Sequence, residues 1–359
     1  MNSGKFESIR KKIEQGDRLN RQDAEALFKW PDILDVGELA HLVRTGLHDD
    51  RAYYVVNRHI NYSNICVNGC AFCAFGKRPG DPEAFELAVE DIIGKLNEPG
   101  SHAITEVHIV GGCHPELPFD YYEEIIRAVK SWRPDVIVKA FTAVEIAHIA
   151  SREGKSVAWV LERLKDAGLD MLPGGGAEIF APSVRARICP AKISGDEWLE
   201  VMRTAHRLGI KSNATMLFGH LESFHDRIDH LLKLRDLQDE TGGFVCFIPL
   251  PFLAKKSPLR DIPGPTGVDI LRTIAVSRLV LDNIPHIKAY WVMLTVKLAQ
   301  LALFFGADDF DGTVIEEKIG HMAGAESEEA LTREEIEYLI TSAGFRPVER
   351  NSFFEPLTK

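Results

Sequence analysis

At 359 residues, with 45% hydrophobic and 26% charged side chains, the chain is long enough for one large α/β barrel or two ordinary domains and has a soluble, globular make-up. Its formal charge of −11 argues against a nucleic-acid partner. The opening Met1-Asn-Ser-Gly-Lys-Phe-Glu7 lacks the apolar run of a signal peptide. The most apolar stretch, Tyr290 to Phe305, is interrupted by Lys297 and Gln300 and reads as barrel core, so no membrane association is expected.

Residues 1–50 carry apolar side chains at helical spacing, with an N-cap-like Asn20 and a periodic run from Asp35 to Leu47, and predict a helical extension. From 51 to 315, short apolar strands alternate with amphipathic helices, the pattern of a parallel α/β fold. The predicted strands are Asn57–Ile65, Thr105–Val110, Val136–Phe141, Asp170–Leu172, Ser212–Leu217, Phe244–Pro249, His286–Trp291 and Leu301–Phe305. Predicted helices include Tyr121–Trp132, Val157–Ala167, Asp196–Leu208, His225–Gln238 and Thr266–Asn283. About eight strands favour a closed or nearly closed (β/α) barrel of the TIM type over an open sheet. Residues 316–359, with a cap-and-helix at Thr332–Ile340, predict a tail packed back on the barrel.

The chemistry announces itself directly after the first predicted strand. Cys66-Val-Asn-Gly-Cys70-Ala-Phe-Cys73 offers three thiolates in a loop. A closed structural zinc site wants four ligands, with His59 the only near candidate for the fourth, and the spacing suits no disulfide framework. Three thiolates fit a [4Fe–4S] cluster with one open iron, which S-adenosylmethionine (SAM) chelates through its amino and carboxylate groups. One-electron cleavage of the sulfonium then yields a 5′-deoxyadenosyl radical, the chemistry of a radical SAM enzyme. Such a cluster implies an external one-electron reductant of the flavodoxin or ferredoxin type, and clustered free cysteines point to a reducing cytoplasm. Cys189 and Cys246 read as small buried hydrophobes.

Barrel logic places further function at the carboxyl ends of the strands. Gly111-Gly112 has the form of a backbone turn that approaches the methionine amino group of SAM; Phe72, between two cysteines, is placed to rest against adenine. Thr142, Glu178, Gly219 and Glu222 join them as candidate SAM-binding residues, Gly174–Gly176 permitting close backbone approach. Glu145, His220 and His114 are the candidates for proton transfer. Lys139, Arg185 and Arg187 are the candidate carboxylate binders. A simple iron–sulfur electron carrier, the non-enzymatic alternative, has no use for so many polar clusters on one rim.

Asn57–Cys73, together with His108–Gly112, His114–Pro118, Lys139–Ile146, Leu172–Phe180, Ser212–His220 and Leu237–Phe244, resembles the radical SAM enzymes of menaquinone and deazaflavin biosynthesis. The likeness covers residues 50 to about 260. Phe141-Thr-Ala-Val-Glu145 resembles the branch that adds the adenosyl radical to the enolpyruvyl double bond of 3-[(1-carboxyvinyl)oxy]benzoate, giving 6-amino-6-deoxyfutalosine. A sister branch, which cyclises dehypoxanthine futalosine, is the alternative. The resemblance implies SAM as a consumed co-substrate and a small dicarboxylate as its partner. Two positions depart from the family pattern: Leu253-Ala-Lys-Lys256 stands where a His-Pro continuation is common, and Cys113 where leucine is frequent.

Overall fold

The structure, a computed structural model, describes residues 3–98 and 103–357. Among the described residues, ten strands fall into two sheets in which every strand pairing is parallel. In chain order these are β1 (Arg51–Val55), β2 (Asn57–Ile60), β3 (Glu106–Ile109), β4 (Ile137–Ala140) and β5 (Met171–Leu172). They are followed by β6 (Lys211–Phe218), β7 (Phe244–Pro251), β8 (His286–Ile287), β9 (Asp309–Gly312) and β10 (Arg346–Glu349). The main sheet runs β2-β3-β4-β5-β6-β7-β8, strictly in sequence order. Neighbours in space that are neighbours in sequence, joined by helices, are what βα repetition with one-handed crossovers produces.

The sheet holds seven strands and curls as a half-barrel rather than closing on an eighth regular strand. The gap between its edges is bridged by the segment 309–315, through isolated parallel bridges Lys288↔Asp309 and Arg58↔Ile315. The predicted eighth strand, Leu301–Phe305, is instead the end of helix Val296–Ala302 running into the 3-10 turn Leu303–Phe305. Its exposed positions are Leu301 and Phe304 while Ala302, Leu303 and Phe305 are buried, a helical rather than a two-residue period.

β1 was missed as a separate strand because it runs into β2 with only Val56 between them. This continuous stretch serves two sheets: its first half lies between β9 and β10, and its second half begins the barrel. β10 thereby ties the chain's last described segment to the barrel, residue for residue from Arg51↔Arg346 to Tyr54↔Glu349. At the other end, helix Ile33–His48 packs on helix Gly267–Val280.

Helix starts are fixed by side chains that satisfy free backbone N–H groups. Thr142, Ser194, Ser223 and Thr332 each form a capping box with the acidic residue three positions on. Beneath the sheet, Asp308 is fully buried and accepts from Arg278, from His286 Nδ1 at 2.6 Å and from the Ile287 amide at 2.8 Å. No helix among the described residues is long and apolar enough to cross a membrane.

Candidate active site

A cavity of about 310 Å³ opens at the carboxyl ends of the strands. Cys66, Cys70 and Cys73 stand on its wall in the loop after β2, each half-buried and free of any disulfide. The loop is stitched from several sides: Cys66 N donates to Lys77 O at 2.8 Å, Val67 N to Cys113 O at 3.1 Å and Ala71 N to Ile188 O at 2.8 Å. The three sulfurs are not among the sets that converge within 4.8 Å, so they are not gathered to grip one ion. Small residues leave the space between them open. A Cβ on Gly76 would sit 3.4 Å from Cys66 Cβ and 3.7 Å from Cys73 Sγ. Separated soft thiolates around a glycine-lined cradle suit an iron–sulfur cluster better than a single zinc ion. The thiols differ: a hydrogen bond with Cys113, outweighing burial, draws Cys66 down to about 5, whereas burial pushes Cys70 up to about 12.

Glu145 is the hub of the next two loops. Its Oε1 accepts from Tyr62 OH at 2.8 Å and from the Gly111 amide at 3.0 Å; its Oε2 accepts from Thr142 N at 2.8 Å and Thr142 Oγ1 at 2.7 Å. Burial pushes this carboxyl up to about 7 against the pull of those donors. Four donors saturate it, so Glu145 pins the Gly111-Gly112 turn to the start of helix Ala143–Glu153. Gly112 is packed too tightly for any side chain, since a Cβ there would lie 2.1 Å from Ile65 O and 2.9 Å from Cys66 Cβ.

Across the cavity, Glu178 pairs with Lys192 Nζ at 2.5 Å, and the ammonium lies 5.2 Å from the centre of the Phe72 ring. Burial alone would favour neutral Lys192, but Glu178 and Cys70 hold its pKa well above the usual value. Lys192 went unnoticed in the sequence because it follows a seven-residue helix and belongs to no cluster.

Deeper in, polar side chains project from the strands themselves. His59 of β2 and His108 of β3 are register partners and stack with centroids 4.4 Å apart; Lys139 of β4 is the register partner of His108. Burial lowers all three pKa values, Glu106 opposing the shift at Lys139, whose Nζ it meets at 2.7 Å. Asn213, Lys288 and Asp311 complete this floor, with Lys288 ion-paired to Asp311. The signal was present in the sequence as polar residues two apart within apolar strands, Asn57/His59 and Asn213/Thr215, which is how inward barrel positions alternate.

The cavity thus gathers the three cysteines, Phe72, Gly111, Gly112, Thr142, Glu145, Glu178 and Lys139. It does not take in His114, Gly219, His220 or Glu222, whose turns fold their polar groups back on their own backbone. His114 Nδ1 accepts from Glu116 N at 3.0 Å and Leu117 N at 3.1 Å. Glu222 accepts from Gly219 N at 2.5 Å, His220 N at 2.9 Å and Arg227 Nε at 2.8 Å. Although burial works to raise its pKa, His220 and Arg227 bring Glu222 down to about 2. Arg185 is likewise spent on carbonyls, including Ala177 O at 2.6 Å, and Arg187 is exposed. Of the predicted cations only Lys139 faces the cavity.

Residues 60–234 match the model of the radical SAM superfamily, and 241–359 that of the CofH/MqnC C-terminal region. Aminodeoxyfutalosine synthase of Thermus thermophilus is 46% identical over 96% of this chain and 94% of its own. The chain belongs to the radical SAM superfamily. The synthase of the same name from Streptomyces coelicolor is 44% identical over 99% of this chain and 95% of its own. The 5-amino-6-(D-ribitylamino)uracil--L-tyrosine 4-hydroxyphenyl transferase of Methanopyrus kandleri is 43% identical over 96% of this chain and 94% of its own. Among solved structures, methylornithine synthase has the same fold at a TM-score of 0.74 and 17% identity, covering 94% of this chain and 97% of that one. The family implies a [4Fe–4S] cluster and SAM, and the loop after β2 carries three free cysteines, thiols of the kind that such a cluster takes.

Proposed function

We propose that this radical SAM enzyme is an aminodeoxyfutalosine synthase, joining the 5′-deoxyadenosyl group of SAM to 3-[(1-carboxyvinyl)oxy]benzoate with loss of a carboxylate, in the cytoplasm. The observation that carries this reading is the 46% identity over nearly the whole of both chains with a synthase of that name. Phe141-Thr-Ala-Val-Glu145, the stretch that resembles the synthase branch, supports it from the hub of the cavity.

Cys66, Cys70 and Cys73 hold the cluster, which when bound supplies one-electron cleavage of SAM. The chain's own residues do the rest by position. Glu145 fixes the Gly111-Gly112 turn, whose backbone receives the methionine end of SAM, and Thr142 stands at the neighbouring helix start. Lys192 sets a buried positive charge, neutralised by Glu178, beside Phe72, a ring placed to cover adenine. His114, His220 and Glu222 shape the turns behind the wall and carry no proton to the substrate. Ile248, Leu250 and Phe252 line the cavity with apolar surface, which suits an aromatic ring and excludes water from a reactive intermediate.

The test is anaerobic reconstitution with iron and sulfide, followed by SAM labelled at C5′, a flavodoxin- or ferredoxin-type reductant and 3-[(1-carboxyvinyl)oxy]benzoate. The label is expected in the coupled nucleoside. Its appearance in one equivalent of free 5′-deoxyadenosine per substrate consumed would overturn the synthase reading, and turnover of dehypoxanthine futalosine in a parallel assay would assign the hydrogen-abstracting cyclase. The Methanopyrus relative supports a second reading, for which tyrosine and 5-amino-6-(D-ribitylamino)uracil are supplied in parallel. Turnover of that pair alone would move the chain to the transferase branch.

A further inference from the structure

The floor of the cavity holds hydrogen-bond donors for which the fold itself has no use. His108 is half-buried, and its ring nitrogens have no hydrogen-bond partner among the described residues. Asn213 is 4% exposed and faces the same cavity, and its side-chain amide, whose Nδ2 is the donor, has no hydrogen-bond partner among the described residues. Lys139 spends one contact on Glu106 and has three N–H donors. A barrel interior without a ligand is filled with apolar side chains; unspent amides and imidazoles cost free energy there. Such groups are kept where something else completes them.

The acids nearby do not compete for these donors. Glu106 is held by Lys139 at 2.7 Å and by Ser352 Oγ at 2.6 Å, and Asp311 by Lys288. What remains is one ammonium, one imidazole N–H and one amide directed at the same space. An acceptor-only group with two oxygens, a carboxylate, matches that set.

We infer that His108, Lys139 and Asn213 form a carboxylate subsite at the cavity floor, and that it takes the ring carboxylate of 3-[(1-carboxyvinyl)oxy]benzoate. The inference rests on the proposed synthase reading, which requires the alkene end of the substrate to lie toward the cysteine loop and so leaves the benzoate end for the floor. The distance fits. His108 precedes Gly111 by three residues, along the end of β3 and the turn after it, at most about 10 Å at roughly 3.3 Å per residue, which is room for one carboxylated ring beyond the alkene.

The experiment compares the substrate with 2-phenoxyacrylate, its analogue without the ring carboxylate. It uses the cluster-loaded wild type and two variants, His108→Leu and Asn213→Leu. Wild type is expected to favour the substrate in kcat/KM by roughly 100-fold, as two charge-assisted hydrogen bonds allow. In each variant that preference falls to within about tenfold, with KM for the true substrate rising and the analogue little changed. Iron content and visible absorbance confirm that each variant is folded and loaded. If both variants keep the wild-type preference, or the wild type shows none, the subsite is wrong while the synthase reading stands. Failure of the wild type to couple adenosine to either compound overturns both.

Discussion

Replacing Glu145 separates a brace from a proton carrier. The carboxylate receives Tyr62 OH, Gly111 N, Thr142 N and Thr142 Oγ1, all within 3.0 Å, and is 2% exposed. In Glu145→Gln the amide nitrogen has to face one pair of donors. Thr142 Oγ1 can turn to accept from it, so the amide settles there and the Thr142 backbone N–H loses its partner. One unsatisfied buried donor costs about 1–3 kcal/mol, and the remaining bonds lose their charge assistance, for a total of about 2–4 kcal/mol. Glu145→Ala also strands the Gly111 amide and empties part of the wall, for about 4–7 kcal/mol. At about 2 °C per kcal/mol for a chain this large, the Gln variant should melt about 4–8 °C below wild type, and the Ala variant about 8–14 °C below it. Differential scanning calorimetry measures this, with steady-state turnover on the folded Gln variant. The expected signature is a raised KM for SAM and a kcat within about tenfold of wild type. A Gln variant with wild-type melting and kcat reduced by about a thousandfold would show that Glu145 handles a proton and would refute the bracing role.

Two further outcomes follow from packing and burial. Gly112→Ala should fail to retain iron after anaerobic reconstitution, because its Cβ would collide with Ile65 O at 2.1 Å. Gly94→Ala, in an exposed helix with nothing within 4 Å, should load normally and gain about 0.5–1 kcal/mol; equal iron content in the two would sink the packing account. Burial holds His48 and His206 down to about 4 and His230 to about 3, below the unfolded value of 6.5. The unfolded chain therefore binds more protons, and stability present above pH 6.5 is lost as pH falls toward 4, at up to about 1.4 kcal/mol per pH unit for each histidine. Urea midpoints at pH 7.5, 6 and 5 test this, and His206→Gln should lower the slope by up to about 1.4 kcal/mol per pH unit.

The mouth of the cavity was legible in the sequence and, Lys139 apart, its floor was not singled out, for a physical reason. Cys66, Cys70, Cys73, Gly111 and Gly112 lie in turns, where residue type is dictated by local chemistry that a short motif displays. His114, His220 and Glu222 have the same appearance in sequence, since a polar residue after a strand either faces the mouth or caps its own turn. Only the geometry shows that His114 Nδ1 and both Glu222 oxygens are consumed by neighbouring backbone N–H groups. His108 and Asn213 sit inside strands, and their meaning depends on which face of the sheet is concave. The alternation was visible, but the curl that turns one face into a cavity comes from seven strands pairing in order. The missing eighth strand has a similar origin. Apolar content marked Leu301–Phe305 for the interior, and only the spacing of its exposed residues distinguishes a helix end from a strand.

Overall similarity does not by itself choose the acceptor molecule. A synthase at 46% identity and a hydroxyphenyl transferase at 43% both match almost all of this chain. Radical generation places the same demands on any member of the superfamily: three thiolates, a backbone turn for SAM and a wall that excludes water. Those demands fall on the mouth, where Glu145, Gly112 and the cysteine loop are locked together by contacts that tolerate little change. The acceptor is a separate problem, to be solved by side chains that can vary without disturbing the cluster loop. Strand residues at the floor meet that condition, because the backbone ladder of β3, β4 and β6 is indifferent to what projects from it. Specificity in this chain is therefore expected to reside in His108, Lys139 and Asn213, and exchanging them should change which molecule is joined to adenosine before it changes whether SAM is cleaved.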